Sequence, residues 1–529
     1  MTKWNPRGCV VAVQKTGKNK YHTHRILLPD GSVFVINKID AGQESQRGVP
    51  KGSLANATST ASNNSILQNP EKSILFQNSH IVSDSIYCIE KVQKGIAMIL
   101  YTVKNGDSLY KIARAYGTTA ERIAADNGLA EPNSLVVGQT LVIQQPLVSY
   151  RVRSGDTVYS VARQFGISLG QLYRNNPFLG GGNDLAVGQY LNIVLPPPEY
   201  DREVDVNGYV YPNVSRDILR QTLPYLTYLT VFTYGIKEDG TLTDVDDEEI
   251  IELARQYGVA PLMQISSITE RGTFSSATAA RLFSDEGVQE RVIKATLDTL
   301  EKKRYEGVDV DFEYVEARYA DAYVSFIQRL RDRLSPLGYE VFVALAPKYN
   351  AEQEGLLYEG IDYGGLGASA DGVLAMTYEW GYAFGEPQAV SPVDKVRRVI
   401  DYGVSEISPE KIFLGVPNYG YDWPLPYVAG ETRARSLSNT DAVALAREKN
   451  AAILFDEVAK APYFTYFVRE NGRPVEHVVW FEDARSVAAM LSLVEEYGLR
   501  GFSVWNLMRY FPQLFLVLNN TFRIRRGLE

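Results

Sequence analysis

The chain has 529 residues, 45% of them hydrophobic and 22% charged. This is the composition of a folded globular protein, and the length predicts more than one domain. The 54 basic and 63 acidic residues give a formal net charge of −9, which argues against nucleic acid or an anionic membrane surface as the main partner. Two cysteines exclude a disulfide framework, four histidines offer no zinc-ligand spacing, and no stretch is apolar for long enough to predict a membrane span.

Residues 1–97 form an N-terminal extension that differs in character from the rest of the chain. It holds both cysteines and a polar run rich in Ser, Asn and Thr at 51–69, and its first apolar run is too short for a secretory signal. One β-hairpin is predicted at 25–36, with its turn at Pro29-Asp30-Gly31. The pattern assigns no chemistry to this extension.

Two copies of one sequence pattern follow, at 98–146 and 147–198. Each copy opens with a short strand and a Gly-Asp-Ser/Thr turn, at Gly106 and Gly155, that can cap a helix. Apolar residues at helical spacing and a closing strand complete a predicted βααβ unit. Both copies resemble the LysM module, which implies binding to glycans that contain N-acetylglucosamine, such as peptidoglycan and chitin. A small βααβ domain without a ligand is the alternative.

Residues 199–529 follow a stiff Pro-Pro-Pro linker and alternate buried strands with amphipathic helices. This order predicts an α/β fold, a (β/α)₈ TIM barrel. The gap before the last strand is too long for one helix, so residues 424–481 are predicted to form an inserted α+β lobe. The eight predicted strands are 204–210, 228–234, 260–265, 307–312, 340–346, 372–378, 412–418 and 501–506.

The most informative segment is the fourth predicted strand. Apolar residues alternate there with Asp309, Asp311 and Glu313, which places the three acids on one face. Since the apolar face of a barrel strand meets the surrounding helices, the acids are expected to point inward. Acids that lie this close titrate as a coupled set, which can raise one pKa into the range of a general acid. A solvated edge strand and a Mg²⁺ or Ca²⁺ site are the alternatives.

Neighbouring acids on one strand cannot flank a sugar ring, as the carboxyl pairs of ordinary retaining or inverting glycosidases do. The run Gly307-Val-Asp309-Val-Asp311-Phe-Glu313 resembles the core of the signature Asp-Gly-x-x-Asp-x-Asp-x-Glu of glycoside hydrolase family 18. That resemblance implies substrate-assisted catalysis, in which the nucleophile is the substrate's own 2-acetamido oxygen. It implies Glu313 as the general acid/base, Asp311 as the group that orients the acetamido group, and Asp309 behind it sharing a proton.

The resemblance extends to two later strands. Met376-Thr-Tyr378-Glu379 is similar to the family's Met-x-Tyr-Asp strand, which implies that Tyr378 hydrogen-bonds the acetamido oxygen. Trp505, at the end of the last strand, is similar to the tryptophan that lies under the −1 sugar. The sequence departs from the family pattern at three places: Glu306, Gln264 to Ser267, and Glu379 in place of the usual Asp.

Aromatic rings stack on the apolar faces of sugars, and most tryptophans of this chain follow late strands or lie in the predicted lobe. The predicted substrate-binding residues are Trp505, Glu379, Trp423 and Trp480. His477 is interpreted as structural. No cofactor or metal is expected.

Longer motifs, at 376–382, 416–423 and 479–485, resemble the spore germination glycosidases of the SleL/YaaH type, which are cortex-lytic. The resemblance implies an N-acetylglucosaminidase that acts on spore cortex, made in the mother cell without a signal peptide and deposited on the spore. A chitinase and a non-hydrolytic glycan-binding coat protein are the alternatives. Endo or exo action, cortex or chitin preference, and oligomeric state stay open.

Overall fold

The computed structural model describes residues 98–269, 272–470 and 472–528, together with the backbone of four strands nearer the N-terminus. Those four strands form an antiparallel sheet in chain order: β1 (Lys3–Trp4), β2 (Val10–Lys15), β3 (Tyr21–Leu27) and β4 (Val33–Ile39). Strands β3 and β4 pair as the predicted hairpin requires, with Leu27 opposite Val33. The predicted turn at 29–31, both cysteines and the polar run lie outside the described residues.

Each repeat folds as a βααβ unit whose two strands pair antiparallel. The hydroxyls of Ser108 and Thr157 accept hydrogen bonds from first-turn amides and so cap the first helix of each unit, as the Gly-Asp-Ser/Thr turns predict. The first unit comprises β5 (Met98–Thr102), α1 (Leu109–Tyr116), α2 (Ala120–Asp126) and β6 (Thr140–Gln144). The second comprises β7 (Val148–Arg151), α3 (Val158–Phe165), α4 (Leu169–Asn175) and β8 (Tyr190–Val194).

Eight parallel strands close into a barrel, in the order β10-β11-β12-β13-β14-β15-β21-β9, with β9 also paired to β10. The predicted TIM barrel is therefore confirmed, and each predicted strand is found within a few residues of its expected bounds. The strands are β9 (Glu203–Val210), β10 (Tyr228–Gly235), β11 (Ala260–Ser266), β12 (Gly307–Asp311), β13 (Glu340–Leu345), β14 (Gly372–Ala375), β15 (Ile412–Pro417) and β21 (Gly501–Trp505).

Amphipathic helices surround the barrel and bury their apolar faces against its outer side. Inside the barrel, large side chains such as Phe342 and Phe413 fill the interior, so it is a packed core and not a channel. The helices are α5 (Arg216–Thr222), α6 (Glu248–Gln256), α7 (Ser276–Ser284), α8 (Glu286–Lys303), α9 (Ala320–Leu334), α10 (Tyr363–Ser369), α11 (Val393–Glu406), α13 (Ala484–Glu496) and α14 (Pro512–Thr521). A short last strand, β22 (Arg523–Ile524), pairs with β9.

Residues 420–480, between β15 and α13, form an antiparallel sheet with one helix, where the sequence predicts an α+β lobe. Sheet order is β17-β16-β20-β19-β18. Its elements are β16 (Gly420–Pro424), β17 (Arg435–Leu437), α12 (Asn439–Glu448), β18 (Leu454–Asp456), β19 (Ala461–Glu470) and β20 (Arg473–Trp480).

The first βααβ unit packs directly on the barrel and the lobe. The Gln513 side chain of α14 donates to Asn127 Oδ1 at 3.0 Å and to the Thr140 carbonyl at 2.7 Å. Gly138 lies so close to the lobe that an added Cβ would be 1.8 Å from the Ile453 carbonyl oxygen. These contacts fix the orientation of the first unit relative to the barrel and the lobe, and the Pro-rich linker alone does not predict that orientation. Among the described residues, no helix is both long and apolar enough to cross a bilayer.

Candidate active site

The acids of β12 lie inside the barrel, as the alternation predicts. Asp309 and Asp311 are buried, whereas Val308 and Val310 pack with the surrounding helices. Strand β12 is hydrogen-bonded to β11 on one side and β13 on the other. The solvated-edge interpretation is therefore wrong.

Each buried acid receives one hydrogen bond from a neighbouring barrel strand. The Tyr209 hydroxyl donates to Asp309 Oδ2 at 2.7 Å, and Gln264 Nε2 donates to Asp311 Oδ2 at 3.0 Å. The Oδ1 atoms of both acids are buried and have no hydrogen-bond partner among the described residues. Burial raises the pKa of both carboxyls. Two neighbouring carboxyls in this setting favour a state in which a proton is retained between them.

Glu313 lies just beyond the end of β12, half-buried at the mouth of the barrel. Burial, and then the charges of Asp311 and Glu379, raise the pKa of Glu313 to about 8. The chain turns sharply after it, because Tyr314 has a φ of 59°. A glutamate that keeps its proton near neutral pH while it is reached by solvent can act as a general acid.

Tyr378 follows β14 and lies beside the same acids. Its ring passes so close to β15 that a Cβ on Gly415 would be 2.8 Å from the tyrosine Cε1. Burial, and then nearby carboxyls led by Asp311 and Glu313, raise the pKa of Tyr378 well above its usual value. The hydroxyl therefore stays protonated, and within the described part of the chain no side chain or carbonyl accepts its hydrogen bond.

Glu379 has a φ of 65° and projects into the cleft, where solvent reaches it. It accepts hydrogen bonds from the hydroxyls of Tyr419 and Tyr421, the latter at 3.1 Å. Burial of the carboxyl raises the pKa of Glu379, although the hydrogen bonds from the two tyrosines act to lower it. The longer side chain, where the family usually has Asp, is thus held by tyrosines at the start of the lobe.

Trp505 ends β21 beside the buried acids. Its half-buried ring makes edge-to-face contacts with Tyr209, Tyr211 and Phe232, at centroid separations of 5.2, 6.1 and 5.2 Å. Tyr209 therefore contacts both this tryptophan and Asp309. The structure brings together Asp309, Asp311, Glu313, Tyr378, Glu379 and Trp505 at the carboxyl end of the barrel, where catalytic residues of such barrels lie.

Two predicted substrate-binding tryptophans have different surroundings. Trp423 is 0% exposed, and its indole N–H donates to the Gly385 carbonyl at 2.9 Å, so the prediction that it contacts sugar is wrong. It is buried because the segment after β14, which carries Ala383, Gly385 and Val390, covers this face of the lobe sheet. Trp480 is half-buried and stacks on Tyr463 with ring centroids 4.6 Å apart.

Sequence reasoning missed the residues that hold the acids. Gln264 was noted only as a departure from the family pattern, although its position on the strand next to the acids was a usable signal. Tyr209 faces the barrel interior by simple alternation on β9.

The acids of β12 are not arranged as metal ligands. One oxygen of Asp309 accepts from a hydroxyl and one oxygen of Asp311 accepts from an amide, and a metal ion would have to replace these donors. Among the described residues, no group of three or more His, Cys, Asp or Glu side chains is arranged to hold a metal.

A parallel barrel with a cluster of acids at its carboxyl end, one of them suited to donate a proton, fits a glycosidase. The chain belongs to glycosyl hydrolases family 18, which matches residues 205–509, and it carries two LysM domains at 101–144 and 150–194. It is an enzyme of the glycosidase class.

Two relatives whose names state an activity match about four-fifths of this chain. The chain is 40% identical over 433 residues to the cortical fragment-lytic enzyme of Bacillus subtilis (strain 168), a match that covers 81% of this chain and 99% of that protein. It is 36% identical to the spore cortex-lytic enzyme SleL of Bacillus cereus, whose crystal structure matches with a TM-score of 0.69 over 82% of this chain and 100% of that one. The chitinase of Chromobacterium violaceum is 25% identical, with a TM-score of 0.56 over 60% of this chain and 98% of that one.

Proposed function

We propose that this glycosidase cleaves spore-cortex peptidoglycan after N-acetylglucosamine, by substrate-assisted catalysis with retention. The observation that carries the proposal is the set of three acids on and just after β12 with the Tyr378 hydroxyl beside them. Two relatives that match over about four-fifths of this chain are named for cortex or cortical fragments. Their substrate class is the one we assign to this chain.

In the first step, Glu313 donates its proton to the glycosidic oxygen while the bond from that oxygen to C1 breaks. The acetamido carbonyl oxygen of the same sugar forms a bond to C1, which gives a cyclic oxazolinium ion, and the leaving chain departs as an alcohol. Tyr378 donates a hydrogen bond to the acetamido oxygen, and Trp505 lies under the sugar ring. Preorganised donors and charges of this kind stabilise the charge that develops in the transition state.

The positive charge of the oxazolinium ion is balanced by the acids behind it. Asp311 orients the acetamido N–H and stabilises the ion, and Asp309 shares a proton with Asp311. Their two buried Oδ1 atoms lack partners among the described residues, and a shared proton satisfies both. The donors Tyr209 and Gln264 hold the other two oxygens in place.

In the second step, water attacks C1 and the bond to the acetamido oxygen breaks. The Glu313 carboxylate takes a proton from that water, which restores the acid for the next cycle. The acetamido group is regenerated, and the new hydroxyl lies on the face from which the leaving chain departed. Two inversions at C1 give overall retention.

This mechanism restricts which bond is cut, because the −1 sugar must carry an N-acetyl group. Muramic-δ-lactam of cortex lacks one, so it is unsuitable at that position. Mass spectrometry of digested, purified cortex is expected to show N-acetylglucosamine at the new reducing ends. Lactam at those ends would overturn the proposed specificity.

Two alternative functions, a chitinase and a non-hydrolytic lectin, differ from this proposal in ways that can be measured or observed. A chitinase is distinguished by turnover on chitin oligomers measured beside turnover on cortex fragments. A non-hydrolytic coat lectin is disfavoured by the presence of Glu313 with a pKa suited to proton donation. We propose that the LysM domains bind the peptidoglycan glycan and that the enzyme acts at the spore.

A further inference from the structure

A cavity of about 350 Å³ lies between the first LysM domain and the catalytic domain. Module residues 127–130 and 139–140 form one wall, and the opposite wall comes from α12 and from residues 481–483 and 510–513. We call it the seam cavity. Its volume falls within the range of about 300–1,000 Å³ that is typical of small-ligand sites. None of the acids of the catalytic cleft lines it.

Hydrogen-bond donors are concentrated on the lobe side of the seam cavity. Helix α12 begins there at Asn439; the Ser438 hydroxyl accepts from the Asp441 amide, and the amides before it have no acceptor within the helix. The Asn439 side-chain oxygen accepts from the backbone amide of Glu482 at 2.9 Å, which fixes the orientation of the side-chain amide. Its Nδ2 is buried and unpaired among the described residues.

Two more residues of the seam cavity carry buried polar atoms without a partner in the described part of the chain, Glu482 at Oε1 and Tyr510 at its hydroxyl. Glu482 is 3% exposed, and burial raises its pKa well above the usual value, against the effect of Ser486. Burial therefore favours the neutral form of this carboxyl. Since buried polar groups in proteins are nearly always hydrogen-bonded, three unpaired residues around one cavity indicate a polar occupant.

The walls also restrict the charge and shape of that occupant. Both signs of charge line the cavity, Asp441 and Asp483 against Arg447, and Asp483 is paired with Arg485 at 2.7 Å, so the walls favour a neutral occupant. Ile453 and Phe481 add apolar surface to the same space. A neutral ligand with acceptor oxygens, hydroxyl groups and one apolar face satisfies all of these features. A sugar ring that carries an acetamido group has this combination.

We propose that the seam cavity is a second glycan site, which binds one acetamido-bearing sugar unit between the first LysM domain and the catalytic domain. Because its walls belong to both domains, a bound sugar strengthens their packing through mass action. The site requires no hydrolysis, so its failure and the failure of the proposed catalytic function can be told apart.

The test uses the full chain with Glu313→Gln, so that the sugar is not consumed. N-acetylglucosamine and its β-1,4-linked dimer are titrated by calorimetry, and crystals are soaked with the dimer. Ala444→Trp and Ala130→Trp each place a ring in the cavity from opposite walls, and both positions are exposed. Ala125→Trp, on an exposed helix position outside the cavity, is the matched control.

We expect sugar density in the seam cavity, and one fewer bound dimer per chain in both blocking variants than in the Ala125→Trp control. Ordered water alone in the cavity at saturating dimer overturns the proposal, as does an unchanged stoichiometry in the blocking variants. Melting temperatures show whether each variant is folded. If neither blocking variant folds, the soaked crystal of the Glu313→Gln chain decides the question.

Discussion

Replacing Asp309 by Asn is expected to stabilise the fold at pH 8 and to disable catalysis. Asp309 is fully buried, and burial raises its pKa from 3.8 to about 8. The folded chain therefore holds a proton that the unfolded chain releases between these two values. Stability from this group is complete below about pH 4 and falls as the pH rises to about 8. Asn has no such pH dependence, and its amide oxygen can still accept the Tyr209 hydrogen bond.

The size of the effect follows from the same shift. A pKa unit corresponds to about 1.36 kcal/mol, so the full shift sets an upper bound of about 6 kcal/mol on the unfolding free energy that this group costs the fold between pH 4 and pH 8. Sharing of the proton with Asp311 and local relaxation reduce this value. We expect a gain of about 1–3 kcal/mol, within the ordinary range for a single substitution.

Thermal unfolding of the parent chain and the Asp309→Asn variant at pH 4, 6 and 8 measures this difference. The variant should melt at nearly the same temperature as the parent at pH 4 and above it at pH 8. Turnover of cortex fragments, measured on the same samples, should be lost. A variant that melts below the parent at pH 8, or a difference that does not change with pH, would refute the reasoning.

Three further outcomes are expected. Glu313→Gln should lower turnover by at least about 10²-fold because the general acid is lost, while sedimentation with cortex shows unchanged binding; residual turnover near the parent value would exclude this acid. Tyr209→Phe should lower kcat with little change in KM because the Asp309 carboxyl loses its donor, whereas Tyr211→Phe, whose ring also contacts Trp505, should leave kcat near the parent value. Equal kcat in these two variants would contradict a role for that hydrogen bond. Activity should survive EDTA, and loss restored by Mg²⁺ or Ca²⁺ would favour the metal alternative.

The barrel could be predicted because each strand carries its own local signal. Buried strands alternate with amphipathic helices, and both can be recognised without contacts distant in sequence. Local signals place strand ends less precisely: the sixth predicted strand reaches Tyr378, whereas β14 ends at Ala375. There the Thr377 hydroxyl donates to the Gly415 carbonyl at 2.7 Å, so the chain leaves the sheet earlier than its composition indicates.

The aromatic residues show where local reasoning is insufficient. Trp423 and Trp505 both follow late strands, and nothing in the composition around them distinguishes a core ring from an accessible one. Trp423 is enclosed because the segment after β14 packs over it, whereas Trp505 remains half-buried beside the acids. Burial of a ring depends on which distant strands pack on it, and this is a tertiary property.

Local sequence patterns are enough to establish the two βααβ repeats, the barrel, and the single strand face shared by Asp309 and Asp311. Period and spacing specify these features, because the side chains of a strand alternate whatever surrounds it. Only the tertiary structure decided that Tyr209, distant in sequence, donates to Asp309 and that the first LysM domain packs on α14 and the lobe. Such contacts join segments that approach each other only after the barrel has closed, so no local pattern encodes them.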